Sequence, residues 1–287
     1  MRKLIIGLIL LASMSACGRF QKKKVVEEPV VEVYDSLKAY ADSIQMEEEY
    51  GDEEKVSVHV DGSFPDFMYG FSTSEKLQKK RIVFPLSYYQ KDKKVEISKA
   101  DWKFDPMFSA LDSYTVLFDS EDDMDVKSDT SMHSVRVEWF YLQENRLKSY
   151  YFERKDGRWM LEAIDDAERP QPEENGKEDF IDFYEHFVND SVFQRSRLHT
   201  PLKFVTVDPE DEFQILETVL EDGQWFAFKP NLPEKVLTNI NYGQHSRGHI
   251  NKKVMEVKGF SNGFVTLLYF ERRQGKWKLV QFDDAIN

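Results

Sequence analysis

Apolar positions along the chain follow one pattern, written twice. Phe64, Phe67, Met68 and Phe71 fall at i, i+3, i+4 and i+7, one stripe of a helix. Phe180, Phe183, Tyr184 and Phe187 repeat that stripe at an offset of 116 residues. A second short helix is expected after each. Ser72-Thr73-Ser74-Glu75 has the form of a capping box, with Glu75 reaching back to the Ser72 amide, and Asp190 is placed to cap the equivalent helix. Pro85 and Pro201 are expected to end the two helical runs. The period then changes from helix to strand. Tyr150, Phe152 and Arg154 share one strand face and Trp159, Leu161 and Ala163 the next, around the turn Lys155-Asp156-Gly157. Leu268, Phe270, Trp277 and Leu279 repeat this hairpin around Gln274-Gly275. Apolar runs lie between helices and hairpin: Tyr114 to Phe118 in one copy, Trp225 to Phe228 in the other. Helices first and strands after, without βαβ alternation, predict an α+β fold. The expected unit is a cone, with N-terminal helices packed on a curved antiparallel sheet, duplicated in tandem.

The identities extend well beyond the stripes. Gln78, Arg81, Pro85 and Leu86 align with Gln194, Arg197, Pro201 and Leu202. Tyr151-Phe152-Glu153-Arg154 aligns with Tyr269-Phe270-Glu271-Arg272 at an offset of 118, followed by Gly157, Trp159 and Asp165-Asp166-Ala167 against Gly275, Trp277 and Asp283-Asp284-Ala285. These matches set the repeats at residues 61–169 and 177–287, joined by the Pro- and Glu-bearing stretch Arg169 to Gly176. Repeats of this length are expected to fold independently.

The N-terminus has a different character. Arg2 and Lys3 precede an apolar run from Leu4 to Ala12, too short to span a bilayer and right for a signal peptide. Met14-Ser15-Ala16-Cys17 resembles the lipobox of bacterial lipoproteins, which implies cleavage before Cys17 and acylation of its thiol. Cys17 is the only cysteine of the 287 residues, so internal disulfides, four-cysteine zinc sites and CxxC redox chemistry are excluded. Residues 1–16 are thus expected to be a signal peptide and 17–60 a lipidated, flexible tether, within which Val33 to Met46 has helical spacing. Surface-exported lipoproteins of some Gram-negative groups resemble one another in acidic residues after the cysteine. Gly18-Arg19-Phe20 is basic instead, which points to the outer membrane facing the periplasm. A formal net charge of −13 argues against nucleic acid as a partner.

The helix-then-sheet order resembles the nuclear transport factor 2-like fold. Two such units behind a lipobox resemble a family of bacterial envelope lipoproteins known by a domain of unknown function numbered 4348. The F-x-D-F-x-x-x-F helices, Gln-x-x-Arg-x-x-x-Pro-Leu and the Y-F-E-R…G-x-W…D-D-A endings carry the resemblance over residues 61–287. The family implies no established activity, so the expected role is a non-catalytic binding or structural module. Its partners would be the membrane, through the anchor, and a small molecule, peptide or envelope protein. Some members of the fold resemble ketosteroid isomerase, which leaves proton-transfer chemistry in the second repeat as the alternative.

Candidate chemistry is sparse. Asp66 and Asp182 occur in both copies, which favours a scaffold role, paired with Arg81 and Arg197 respectively. Asp165-Asp166 and Asp283-Asp284 read as solvated strand ends. Tyr242, His245 and His249 lie in a polar, glycine-bearing stretch and are the candidate ligand contacts; two glycines argue against the helix that would align the histidines for zinc. The acidic stretch Asp119 to Asp125 lacks the glycine and terminal glutamate of a calcium loop. No metal or cofactor is expected. The lipid anchor is directly testable: Cys17→Ser should abolish uptake of labelled palmitate, and equal labelling of the two proteins would refute it.

Overall fold

The computed structural model describes residues 60–91, 93–172, 176–243 and 251–284. Each repeat opens with two helices: α1 (Phe64–Thr73) and α2 (Glu75–Lys80) in the first, α3 (Phe180–Asn189) and α4 (Ser191–Ser196) in the second. The apolar stripes face inward, with Phe67, Phe71, Phe183 and Phe187 essentially inaccessible to solvent. The cap of α2 is Ser74, whose hydroxyl accepts from Leu77 N at 3.2 Å. Glu75 is turned to Lys79 instead of back to Ser72. Asp190 caps α4 as its position predicts, accepting from Val192 N and Phe193 N.

Among the described residues six strands follow each helix pair: β1 (Ile82–Gln90), β2 (Lys93–Ile97), β3 (Ser113–Phe118), β4 (Ser134–Tyr141), β5 (Arg146–Lys155) and β6 (Arg158–Glu168) the first, and β7 (Leu198–Asp208), β8 (Asp211–Leu220), β9 (Val236–Asn241), β10 (Lys252–Gly259), β11 (Val265–Arg273) and β12 (Lys276–Asp284) the second. Pro85 and Pro201 do not terminate helices; they lie inside β1 and β7, at the irregularity where each strand loses register with its neighbour. Nor is either sheet wholly antiparallel, because β1 runs parallel to β6 and β7 parallel to β12. The hairpin turns are as expected: Asp156 and Gly157, like Gln274 and Gly275, have positive φ, as a two-residue turn matched to strand twist requires. Trp159 and Trp277 are both 1% exposed, each edge-on to the first phenylalanine of its own helix stripe.

The repeats are not separate domains. One sheet has the order β2-β1-β6-β5-β4-β9 and the other β8-β7-β12-β11-β10-β3. β9, from the second repeat, completes the first sheet, and β3, from the first repeat, completes the second. The pairings are equivalent: Val137 lies opposite Ile240 in one sheet, Met255 opposite Leu117 in the other. Each exchanged strand feeds both cores. Val116 and Phe118 join the first and Leu117 the second; likewise Ile240 joins the first and Leu237 the second. The strands meet at Thr115 and Thr238, both buried. Each hydroxyl accepts from the other's backbone N–H (2.7 and 3.0 Å) and donates to the other's carbonyl (2.6 and 2.9 Å). These bonds satisfy backbone groups that would otherwise be buried without partners.

This exchange argues against independent folding of the repeats. Residues 177–287 alone would leave the β10 edge uncovered and β9 without a sheet. That fragment should show no cooperative thermal transition by itself and should recover one when mixed with residues 18–172. Thr238→Val, which leaves the Thr115 N–H and C=O unpaired, should lower the stability of the whole chain by on the order of 3 kcal/mol in a single transition. Calorimetry checks both; two separate transitions would contradict the exchange.

Candidate functional site

The repeated polar residues build a scaffold. Asp61, just before α1, is 2% exposed and takes both guanidinium nitrogens of Arg81 at 2.6 and 2.9 Å, plus Trp159 N at 2.7 Å. Glu178 does the same before α3, accepting from Arg197 twice at 2.8 Å and from Trp277 N at 2.8 Å. Arg154 and Arg272, the last residues of the Tyr-Phe-Glu-Arg motifs, lie over the indoles of Trp159 and Trp277 at 4.8 and 4.9 Å. A bidentate carboxylate that also accepts a backbone N–H ties the start of each repeat to its closing hairpin. Asp66 and Asp182 are therefore not the partners of Arg81 and Arg197. Asp66 is bound to Ser63 at the helix start, and Asp182 is held by Arg169.

The repeats differ at the mouths of their cones. In the first, a cavity of about 350 Å³ is lined by Trp102, Ile164, Tyr88, Asp105 and Lys148 among others. Asp105 accepts from Tyr150 Oη at 2.6 Å, from Lys148 Nζ at 3.3 Å and from Met107 N at 3.0 Å. Nearby, Asp166 accepts from Tyr88 Oη at 2.8 Å and from Arg146 at 3.1 Å. Burial, and then its bond to Asp166, pushes the Tyr88 hydroxyl up to about 12. Tyr150, almost fully buried, is also raised, by burial and by Asp105. At the aligned positions of the second repeat stand Phe204 for Tyr88, Phe282 for Ile164, Leu268 for Tyr150 and Thr266 for Lys148. Phe204 stacks on Phe282 at 5.0 Å and meets Phe228 at 5.6 Å, so aromatic rings occupy the place of the cavity.

A family profile described as "Domain of unknown function (DUF4348)" matches residues 41–284. The chain belongs to the DUF4348 family. A crystal structure of an NTF2-like protein from Bacteroides fragilis is similar to it at 47% identity and a TM-score of 0.73, covering 80% of this chain and 98% of that one. No curated protein matches the chain.

In this DUF4348 chain the sequence candidates are scattered. Cys17, His245 and His249 lie outside the described residues, as does the helical stretch of the tether. Tyr242 is 6% exposed, edge-on to Phe64 at 6.3 Å, and belongs to the first core although it follows β9 in sequence. Asp166 is engaged with Tyr88 and Arg146, and Asp284 with Thr266 Oγ1; neither is a bare strand end. Burial raises both Asp283 and Asp284. Asp119 is paired with Lys253, and among the described residues no cluster of metal-ligating side chains is present. Tyr88, Asp105, Lys148 and Tyr150 were not singled out from sequence. For Tyr88 and Tyr150 the signal is polarity where the other copy has Phe204 and Leu268, and for Lys148 a charge where it has Thr266.

Tyr88 gives a testable pH dependence. Its folded value lies above the ordinary tyrosine value, so its contribution to stability is complete below pH about 10 and is lost as pH rises toward 12. Tyr88→Phe should flatten the alkaline loss of melting temperature over that window. An unchanged slope in the variant would refute the assignment.

Proposed function

We propose that this protein is a non-catalytic binding module, held by a lipid on Cys17 to the outer membrane and facing the periplasm. Its ligand would be a small molecule received at the mouth of the first cone. The observation that carries this reading is the divergence of the two mouths. Duplicated units that share a scaffold differ where one is free to bind, and here one mouth is polar and open while the other is closed by phenylalanine. The cavity lies at the lower end of the roughly 300–1,000 Å³ usual for ligand sites. Trp102 and Ile164 offer an apolar wall. Lys148 keeps ammonium protons beyond the one given to Asp105, so it suits an anionic or acceptor group on the ligand.

Two features favour binding over catalysis. Asp105 already accepts three hydrogen bonds from the protein itself, so its oxygens are engaged in holding Tyr150, Lys148 and the Met107 turn. The proton-transfer alternative placed a reaction chamber in the second repeat, whose interior is filled by Phe183, Phe187, Phe270 and Trp225. Anilinonaphthalene sulfonate has the required aromatic body and anionic end. It should bind the folded protein with increased emission. Lys148→Ala should weaken that binding roughly tenfold, the value of one charge-assisted hydrogen bond, while Phe228→Ala in the second repeat should not. Equal affinity in the Lys148→Ala protein, shown folded by its melting curve, would overturn the site.

A further inference from the structure

The second repeat has a cavity of its own, at a different place, and the first repeat shows what chemistry suits it. Gln78 and Gln194 are aligned residues on α2 and α4, 0% and 1% exposed. Each donates an amide hydrogen to the preceding helix, Gln78 to Phe71 O at 3.0 Å and Gln194 to Phe187 O at 2.7 Å. Each accepts from an indole, Gln78 from Trp102 Nε1 at 3.0 Å and Gln194 from Trp225 Nε1 at 3.1 Å. There the equivalence stops. Gln78 uses its second amide hydrogen on Asp105 O (2.7 Å) and its second lone pair on Asp105 N (2.9 Å). It thus pairs with both backbone groups of one residue, as one strand residue pairs with another. Gln194 has no such partner among the described residues.

The space beside it is correspondingly open. In the first repeat, the segment after Asp105 continues as the turn Met107–Ala110 and is fixed by Ser109 Oγ donating to Ser72 O at 2.8 Å. In the second repeat, Val188, which aligns with Ser72, and Gln194 floor a cavity of about 290 Å³. The chain passes beside that space as Phe226 and Lys229 to Leu232. That buried carboxamide keeps one donor and one acceptor beyond the bonds it makes among the described residues.

We propose that this cavity binds a short peptide in extended conformation, with the N–H and C=O of one residue paired to Gln194 as Asp105 is paired to Gln78. The first repeat supplies its own peptide at this place; the second takes one from outside. Lys229 and Glu234 at the rim tolerate a side chain of either charge on the peptide. The site is separate from the mouth of the first cone, and neither depends on the other.

The test uses the mature chain carrying Cys17→Ser, labelled for amide NMR, and acetyl-Ala-Ala-Ala-amide as probe. The side-chain amide signals of Gln194 should move saturably in the millimolar range, and those of Gln78 should not move. The same probe with its backbone nitrogens methylated should bind roughly tenfold more weakly, because the acceptor on Gln194 then goes unpaired. Asn231→Trp, which places an indole in the cavity without touching Gln194, should remove the shift. Static Gln194 signals, equal affinity for the methylated probe, movement of Gln78 alongside Gln194, or an unaltered shift in Asn231→Trp would each overturn the proposal.

Discussion

The crossing of β3 and β9 at Thr115 and Thr238 is the constraint on which the rest of the architecture depends. Two hydroxyls satisfy four buried backbone groups, and threonine suits both demands there. Its branched side chain fits a strand, and its hydroxyl can accept and donate at once. Because the crossing is reciprocal, neither sheet is complete without the other repeat. The apolar residues of each exchanged strand alternate between the two cores, so the cores are joined by covalent chain as well as by packing.

On this joined framework the two copies keep one set of residues in common and let another drift. What they keep is the tie of a carboxylate, an arginine and a tryptophan at the start and end of each repeat. Asp61 and Glu178 serve it equally, since either carboxylate presents two oxygens to a guanidinium. What drifts is the segment between the second helix and the exchanged strand. In the first repeat it lies over Gln78 and leaves Tyr88 and Ile164 lining a cavity. In the second it places Phe228 over Phe204 and leaves Gln194 beside one. Each copy closes with its own chain the opening that the other leaves.

Much of the fold was legible because it is local. Helix stripes, the glycine turns and the buried tryptophans follow from spacing of three, four or two residues, and duplication doubles each signal. The exchange was not legible. Tyr114 to Phe118 and Val236 to Asn241 are short segments, buried on both faces, that could complete either sheet, and nothing local names the neighbour. Trp225 misled for a related reason: it lies in an apolar run like that of β3, yet its indole plays the part of Trp102. The arginine partners were missed because identity drew attention to Asp66 and Asp182, whereas the true pair differs as Asp61 and Glu178. The cavities were missed on the same account. A search for repeats rewards sameness, and both openings lie where Tyr88 faces Phe204 or where equivalent glutamines have unequal partners.

Interlocking of this kind separates covalent continuity from structural integrity. The peptide that runs from Arg169 to Gly176 carries the chain from one repeat to the next, but the halves are held by β3 and β9. A protease that cut between the repeats would release no fragment. The two pieces would remain one particle, each gripping a strand of the other, and the half that follows the cut would stay with a neighbour to which it was no longer bonded.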